Sequence, residues 1–237
     1  MTDDLPPDEK DWSQKPFGPL RSYGRIKSRP IKPRQAGLME TLLPQIAVDL
    51  VAPLAGWSGP TWLEIGFGGG EHMAAQAAKF VQEGAPDVRI LGAEPFVNGV
   101  ASAVRHVEEQ GLSNVRIHHG DARDLVAALP DASIARVFIL FPDPWPKARH
   151  HKRRIVQPEL LAELARVLQP GGGLRFATDW ADYADWTLER VLKSGLFDWP
   201  AMRADDWRSP PADHVTTRYE LKKLGDCAPV FLDFVKR

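Results

Sequence analysis

The sequence predicts an α/β protein built on a doubly wound, mostly parallel seven-stranded sheet with one antiparallel strand near the C-terminus. Short apolar segments alternate with segments of helical spacing from about residue 60 to residue 194, as in repeated βα units, whose strands lie parallel. A glycine-rich loop joins the first of these strands to its helix. Near the C-terminus, two strand-like segments follow each other across a short turn, a connection that antiparallel strands allow.

Each predicted element follows from its local pattern. Leucine and isoleucine at helical spacing predict a first helix within residues 37–54. Apolar or alternating segments predict strands at residues 62–65, 88–93, 114–119, 134–141, 174–178, 216–224 and 229–235. Helical spacing predicts the intervening helices at residues 71–82, 96–110, 121–129, 158–168 and 180–194. Strand 134–141 is the most apolar, so we expect it at the centre of the sheet.

Length and charge indicate a single domain with a basic N-terminal arm. The 237 residues are enough for one full α/β domain, and we predict a flexible arm at residues 1–35 and one domain at residues 36–237. The formal net charge is −1, yet 11 of the 30 Lys and Arg residues lie within residues 21–34 and 147–154. Such clustering is typical of a surface that binds a polyanion, although two solvated faces would also explain it.

The sequence also predicts the compartment. Its single cysteine, Cys227, excludes an intrachain disulfide and suits a reducing, cytoplasmic location. The acidic, proline-containing residues 1–11 are unlike a secretory signal peptide, and no apolar run approaches the ~20 residues that span a bilayer. Histidines at 118–119 and 150–151 are adjacent pairs whose side chains diverge. We therefore expect neither a membrane segment nor a bound metal.

Residues 64–71, Glu-Ile-Gly-Phe-Gly-Gly-Gly-Glu, connect the first predicted strand to its helix. Glycines such as Gly66 and Gly68 let the backbone approach a ligand closely, and a helix N-terminus attracts a negative group. The dinucleotide fingerprint requires a small residue where this chain has Glu71, and an acid there repels a pyrophosphate. The loop therefore disfavours NAD and favours a ligand whose only anion is a carboxylate.

Two acids follow the next two strands. Glu94 ends the second strand, where it suits the hydroxyls of a ribose, and Asp121 follows the third, where it suits the amine of an adenine. Ligands of doubly wound sheets bind beyond the carboxyl ends of the strands, so both acids and the glycine loop face one crevice. Each acid alone is equally explained as a helix N-cap, Asp121 above all. Together with the glycine loop they resemble the S-adenosyl-L-methionine site of the class I methyltransferases, which have a Rossmann-like fold.

Residues 141–147, Phe-Pro-Asp-Pro-Trp-Pro-Lys, form the most distinctive segment, which we call the Asp143 loop. Its prolines fix φ and exclude a helix, so Asp143 and Trp145 lie on a stiff loop at the end of the central strand. The basic run 147–154 follows at once. A rigid carboxylate and an indole beside clustered positive charge indicate a pocket for a base within a nucleic acid.

Five motifs occur in the order in which the bacterial tRNA guanine-N7 methyltransferases carry them, and the whole chain resembles that family. They are residues 64–71, 141–147, 151–154 (His-Lys-Arg-Arg), 177–180 (Ala-Thr-Asp-Trp) and 217–220 (Thr-Arg-Tyr-Glu). The resemblance implies a class I fold, S-adenosyl-L-methionine as the methyl donor and N7 of a guanine in the variable loop of tRNA as the acceptor. It also implies that tRNA is the partner, and we expect a monomer or weak homodimer.

The same resemblance implies roles for individual residues, with Asp143 as the catalytic residue. The residues expected to hold the cofactor are Glu64, Gly66, Gly68, Glu94, Asp121 and Asp143. The residues expected to hold the tRNA are Lys147, Arg149, His150, His151, Lys152, Arg153, Arg154, Asp179, Thr217, Arg218, Tyr219 and Glu220.

The expected reaction suits these residue types. Guanine N7 has a free lone pair and no proton, so its attack on a methyl group needs alignment rather than a strong base. A carboxylate near the ring, from Asp143 or Asp179, stabilises the cationic product and accepts hydrogen bonds from guanine N1–H and the amino group. Trp145 either stacks on the base or only packs, and Asp179 is equally explained as the N-cap of the following helix.

Three other functions remain as alternatives. An NAD-dependent oxidoreductase uses a similar sheet, but Glu71 and the lack of a hydride-site histidine or lysine disfavour it. An RNA-binding module with an inactive cofactor pocket is disfavoured by the acids at positions 64, 94, 121 and 143. A class I methyltransferase that acts on another RNA also remains open, whereas one that acts on a protein or a small molecule is disfavoured by the two basic windows.

Overall fold

The computed structural model describes residues 30–237 and contains one mixed sheet of seven strands with helices on both faces. Residues 1–29, which make up most of the predicted basic arm, lie outside the described residues. Residues 33–35, also assigned to the arm from sequence, form the first turn of a helix.

The elements have the following bounds. The strands are β1 Thr61–Ile65, β2 Arg89–Ala93, β3 Val115–His118, β4 Ile134–Leu140, β5 Leu168–Thr178, β6 Phe197–Asp198 and β7 Val230–Lys236. The helices are α1 Pro33–Thr41, α2 Leu43–Ile46, α3 Glu71–Gln82, α4 Val97–Gln110, α5 Ala122–Ala128, α6 Pro158–Val167, α7 Ala181–Ser194 and α8 Asp205–Arg208. Short 3-10 turns cover Ala148–Arg153 and Glu220–Lys222.

The sheet has the order β3-β2-β1-β4-β5-β7-β6. Strands β1 to β5 run parallel, whereas β7 lies antiparallel to β5 and also to the two-residue β6. This arrangement confirms the predicted fold class, and β4 lies at the centre as its apolar sequence predicts. The chain order reverses between β1 and β4, so their carboxyl ends border the switch point at which doubly wound sheets bind ligands.

Helices cover the two faces of the sheet. On one face, α5, α6 and α7 pack through residues such as Leu125, Leu164 and Val191. On the other face, α3 and α4 pack through residues such as Met73 and Val104, with α1 beside them. Both layers pack against the sheet mainly through apolar residues. Within residues 30–237, no helix combines the length and the apolar character needed to cross a membrane.

The extent of the first predicted helix, residues 37–54, is wrong. Helix α1 begins at Pro33 and ends at Thr41, and only the four-residue α2 follows it. Pro44 interrupts the pattern because proline has no backbone N–H to donate to the carbonyl four residues earlier. Leucine spacing alone therefore overestimated the helix.

The predicted terminal hairpin is wrong in its first strand. Residues 216–224 form no strand, because Thr217 and Glu220 make a reciprocal capping box that turns the chain. The Glu220 carboxylate accepts a hydrogen bond from the backbone N–H of Thr217 at 2.8 Å, and the Thr217 hydroxyl accepts one from the N–H of Glu220 at 3.4 Å. The second predicted strand is present as β7, and its main partner is β5, which begins at Leu168, before the predicted residue 174.

Gly99 and Gly37 provide a matched test of helix packing. A Cβ at Gly99, in α4, would lie 2.3 Å from the carbonyl oxygen of Gly68, so Gly99→Ala pushes α4 away from the glycine loop. We expect the free energy of unfolding in urea to fall by about 1–3 kcal/mol. A Cβ at Gly37, in α1, meets no described atom within 4 Å, so Gly37→Ala should raise it by about 0.5–1 kcal/mol. Equal effects of the two substitutions would contradict this packing.

Candidate active site

A crevice of about 640 Å³ opens at the carboxyl ends of β1, β2 and β4, a volume typical of small-molecule sites. The predicted site residues that line it are Gly66, Gly68, Glu94, Asp121, Asp143, Lys152, Arg153 and Arg154. Those outside its lining are Glu64, Lys147, Arg149, His150, His151, Asp179, Thr217, Arg218, Tyr219 and Glu220. The fold therefore brings most of the expected cofactor residues and part of the basic run to one cavity.

The glycine loop presents its backbone to the crevice. Gly66 and Gly68 have φ values of +70° and +54°, which side chains rarely allow. A Cβ at either position would meet no described protein atom within 4 Å, so a ligand has room in front of both. Gly70 caps α3 at φ +79°, and its Cβ would lie 2.6 Å from the Cβ of Ala103 in α4. Glycine at position 70 thus serves the packing of the two helices.

Glu94, at the end of β2, is 8% exposed and joins two loops. Its Oε2 accepts a hydrogen bond from the N–H of Gly68 at 2.8 Å, and its Oε1 accepts one from the N–H of Phe96 at 2.9 Å. Burial raises the pKa of Glu94 to about 7; the two hydrogen bonds oppose this shift, and the charges of Asp143 and Glu64 add to it. Each carboxylate oxygen retains a lone pair that can accept from a ligand hydroxyl.

Asp121 is the N-cap of α5, one of the two interpretations open from the sequence. Its Oδ1 accepts from the backbone N–H of Arg123 at 3.0 Å and from Nε of the same residue at 2.9 Å, while its Oδ2 pairs with the guanidinium. Both side chains line the crevice, so capping and ligand contact are compatible. Sequence reasoning missed Arg123, although contacts two residues after an aspartate are a common local pattern.

The Asp143 loop turns at two bulky residues in the left-handed region. Phe141 and Trp145 have φ values of +50° and +45°, a strain of roughly 1–3 kcal/mol for each. The Phe141 ring packs against Tyr219 and Phe231, with ring centroids 5.7 and 6.4 Å away. Asp143 lies between the two turns and faces the crevice, where partial loss of solvation raises its pKa. Packing thus holds the carboxylate in position.

Arg154 points inward, although the sequence predicts that it contacts tRNA. Its side chain is 1% exposed. The guanidinium donates to the carbonyl of Pro144 at 2.9 Å, pairs with the Asp182 carboxylate, and lies 4.7 and 4.9 Å from the ring centroids of Tyr183 and Trp186. Arg154 therefore fastens the Asp143 loop to α7, and in this conformation its charge is not available to an RNA phosphate.

The remaining basic residues lie on or beside the 3-10 turn at residues 148–153. Lys147, Arg149 and Lys152 are exposed. The guanidinium of Arg153 lies 4.9 Å from the centroid of the Trp145 ring, and the His150 ring meets that indole edge-on at 5.9 Å. His151 instead packs edge-on against Trp186 in α7. The charged turn and the indole at the crevice mouth thus form one continuous surface.

Asp179 connects the end of β5 to the C-terminal loops. It is 5% exposed and accepts hydrogen bonds from the Tyr219 hydroxyl at 3.4 Å and from the N–H of Gly225 at 2.9 Å. The N-cap interpretation of Asp179 is wrong: Asp226 accepts from the N–H of Ala181 in the first turn of α7. Through Tyr219, whose ring contacts Phe141, Asp179 is linked to the Asp143 loop.

Residues 217–220 lie beside the crevice and contact α3. Arg218 Nε lies 3.1 Å from Oε1 of Glu71, and Glu220 Oε2 lies 2.7 Å from Nε2 of His214. Sequence reasoning missed His214, because its partner is six residues away in an irregular segment with no periodic signal. The capping box and this histidine give the segment a defined shape.

Glu64 lies beneath the glycine loop. It is 3% exposed, and its Oε2 lies 2.7 Å from Nδ1 of His72 in α3. Contact between Glu64 and the cofactor therefore stays a prediction. Sequence reasoning also missed His72 and Gln76, which are both 2% exposed; their i, i+4 spacing on a helix was the available signal. Among residues 30–237, no three His, Cys, Asp or Glu side chains are grouped as metal ligands.

The inward position of Arg154 predicts a structural effect. Arg154→Ala removes an ion pair, a backbone hydrogen bond and two cation–aromatic contacts, so we expect the free energy of unfolding in urea to fall by about 2–4 kcal/mol. Lys152→Ala, at an exposed position on the same turn, should change it by less than about 0.5 kcal/mol. A loss as large in the lysine variant would contradict the distinction.

Comparisons with known proteins identify the family of this chain. A family model described as a putative methyltransferase matches residues 58–229. A Caulobacter sp. protein named tRNA (guanine-N(7)-)-methyltransferase is 69% identical over 231 residues, covering 94% of this chain and 98% of that protein. A Hyphomonas neptunium protein of the same name is 51% identical over 222 residues, covering 91% and 99%.

Solved structures support the fold alone. The precorrin-6y C5,15-methyltransferase of Geobacter metallireducens aligns with a TM-score of 0.51 at 15% identity, over 79% of this chain and 86% of that chain. Sequence identity over nearly the whole length of the relatives is the stronger finding, and by it the chain belongs to the family of the tRNA (guanine-N(7)-)-methyltransferases.

Proposed function

We propose that this protein transfers the methyl group of S-adenosyl-L-methionine to N7 of a guanine in tRNA, which forms 7-methylguanosine. The observation that carries the proposal is the single crevice in which Glu94, Asp121 and Asp143 meet beside a basic turn. The family to which the chain belongs supports the same reaction and substrate.

The donor and acceptor set of the crevice fits S-adenosyl-L-methionine. The backbone at Gly66 and Gly68 borders free space, Glu94 offers acceptors to ribose hydroxyls, and Asp121 offers one to the adenine amine. Glu94 and Asp143 are close enough for their charges to interact, so a cationic ligand relieves their repulsion. When bound, the cofactor supplies a methyl group on a positively charged sulfur.

We assign to Asp143 the orientation of the guanine and the stabilisation of its charge. Because N7 carries no proton, the site must align the base rather than deprotonate it. A carboxylate accepts from guanine N1–H and the amino group, a donor pair that adenine lacks. Positive charge develops on the guanine ring during transfer, and a carboxylate already in position stabilises it without reorganisation. The turns at Phe141 and Trp145 provide that preorganisation.

We assign the RNA contacts to the exposed basic residues and to residues 217–220. Lys147, Arg149 and Lys152 are exposed on or beside the 3-10 turn whose Arg153 contacts Trp145, and an indole at the crevice suits stacking on a base. Because its substrate is tRNA, we place the protein in the cytoplasm; its predicted state as a monomer or weak homodimer is checked by analytical ultracentrifugation.

The function is tested by incubation with unmodified tRNA and methyl-labelled S-adenosyl-L-methionine, followed by nucleoside analysis. We expect the label in 7-methylguanosine. Label in another nucleoside, or transfer to free nucleosides at the rate seen with tRNA, would favour the alternative acceptors.

The raised pKa of Glu94 predicts a pH dependence of cofactor binding. Hydroxyl donors favour the carboxylate, so binding is strongest above pH 7 and must displace a proton below it. We expect the dissociation constant to rise by up to about tenfold per pH unit below pH 7. In calorimetry, Glu94→Gln should bind S-adenosyl-L-methionine more weakly, and its dissociation constant should depend less on pH. Titration of the ligand affects both proteins equally, so it cancels when their pH profiles are compared. Parallel profiles would contradict the assignment.

Replacement of Asp143 tests the proposed mechanism. Asp143→Asn keeps the size and hydrogen-bonding capacity but removes the charge, so we expect single-turnover methylation to slow by about 100- to 1000-fold with both substrates bound. Asp87→Asn, at an exposed aspartate outside the crevice lining, serves as the control. A near-normal rate in Asp143→Asn would transfer the proposed role to Asp179.

The exposed basic residues are tested by the salt dependence of tRNA binding. In Arg149→Ala/Lys152→Ala, the plot of log K for tRNA association against log salt should become less steep, by about one unit of slope for each lost phosphate contact. The turnover at saturating tRNA should change little. Lys79→Ala/Lys193→Ala removes the same net charge from α3 and α7 and should leave the slope unchanged. Equal slopes in all three proteins would mean that the basic turn is only a solvated face.

A further inference from the structure

A buried chain of hydrogen bonds runs from the glycine loop to the segment before residues 217–220. Nδ1 of His72 lies 2.7 Å from Oε2 of Glu64, and Nε2 of His72 lies 3.3 Å from Nε2 of Gln76. The same Gln76 amide donates to the backbone carbonyl of Asp213 at 2.6 Å. All three linking side chains are 2–3% exposed, so water does not compete for these bonds.

These hydrogen bonds allow only one consistent assignment of donors and acceptors. A carboxylate can only accept, so His72 donates from Nδ1 to Glu64 and its Nε2 becomes an acceptor. The amide of Gln76 has two N–H groups, and these satisfy Nε2 of His72 and the carbonyl of Asp213. A carbonyl oxygen requires a donor, so the amide orientation is fixed at both ends. His72 and the Asp213 carbonyl therefore fix the orientation of the Gln76 amide.

Asp213 is the first residue of the segment 213–220, which contains the proposed substrate residues 217–220. His214 follows directly and contacts Glu220, the capping partner of Thr217. Arg218, farther along, contacts Glu71 at the start of α3. The segment 213–220 is thus attached to α3 at two points, and the N-terminus of that helix is the glycine loop.

We propose that Gln76 is a positioning residue for the tRNA substrate: it holds the segment 213–220 against α3, the helix that begins at the glycine loop. The inference rests on the proposed function, because it takes residues 217–220 as contacts of the substrate nucleotide. Gln76 lies outside the crevice lining, and it acts through the backbone of Asp213. The Asp213 carboxylate keeps its ion pairs with Arg136 and Arg175, so loss of the Gln76 amide releases the backbone of the segment from α3 and leaves the crevice intact.

Gln76→Met tests the proposal, because methionine has a similar length and flexibility and lacks the N–H donors. We expect KM for tRNA to rise by roughly tenfold, while the dissociation constant of S-adenosyl-L-methionine changes by less than about twofold. Backbone amides of residues 213–220 should exchange hydrogen about tenfold faster, a readout that needs no activity. Gln82→Met, the same change at an exposed position of the same helix, should alter none of these.

A second variant keeps the test valid if methionine destabilises the fold. Gln76→Glu retains size and polarity but places an acceptor against the Asp213 carbonyl, so it should raise KM for tRNA at least as much. Unchanged KM and unchanged exchange, or equal losses of tRNA and cofactor binding, would overturn the inference. If the unaltered protein does not methylate tRNA, the proposed function fails, whereas the exchange measurement still tests the Gln76 contact.

Discussion

Between the ends of β1 and β2, one buried carboxylate accepts hydrogen bonds from two backbone amides that belong to different loops. Glu94 thereby sets the separation between the glycine loop and the start of α4, and that separation defines one wall of the crevice. Burial disfavours the charge and raises its pKa to about 7, whereas the amides favour it. The geometry of the proposed cofactor site thus depends on a group whose protonation is balanced near neutrality.

The opposite wall depends on packing rather than on charge. The Asp143 loop is held by the Phe141 ring on Tyr219 and by the guanidinium of Arg154, which reaches the carbonyl of Pro144 and the rings of α7. These contacts come from elements far apart in sequence. Asp143 can therefore keep a fixed position without an ion pair of its own among the contacts described, as the electrostatic role proposed for it requires.

The fold and the crevice were predictable because they depend on local patterns. Strand boundaries place Glu94, Asp121 and Asp143 at one edge of a parallel sheet, and the glycine spacing marks the loop between β1 and α3. The directions of side chains were not predictable in the same way. Arg153 and Arg154 are chemically equal neighbours, but Arg154 turns inward because α7 provides an ion-pair partner and two aromatic rings for its guanidinium. These are Asp182, Tyr183 and Trp186.

Glu64 was assigned from its motif, whereas its contact with His72 required the three-dimensional structure. The erroneous strand at residues 216–224 is a different case. Alternating side chains suggested a strand, but the Thr-x-x-Glu pattern of a capping box was already present in the sequence. There the wrong local signal was chosen. Pro44 likewise stood in the sequence as a sign that the first helix is interrupted.

The left-handed backbone at Phe141 and Trp145 has a consequence for the exchange of loops between related enzymes. A short peptide with this sequence relaxes to ordinary φ values, because nothing within the seven residues opposes the strain. The Asp143 loop consequently does not keep its conformation when it is transferred alone. A chimaeric protein must also contain Tyr219, Phe231 and Arg154. Recombination that separates residues 141–147 from these three residues would yield proteins with a folded sheet in which Asp143 is misplaced.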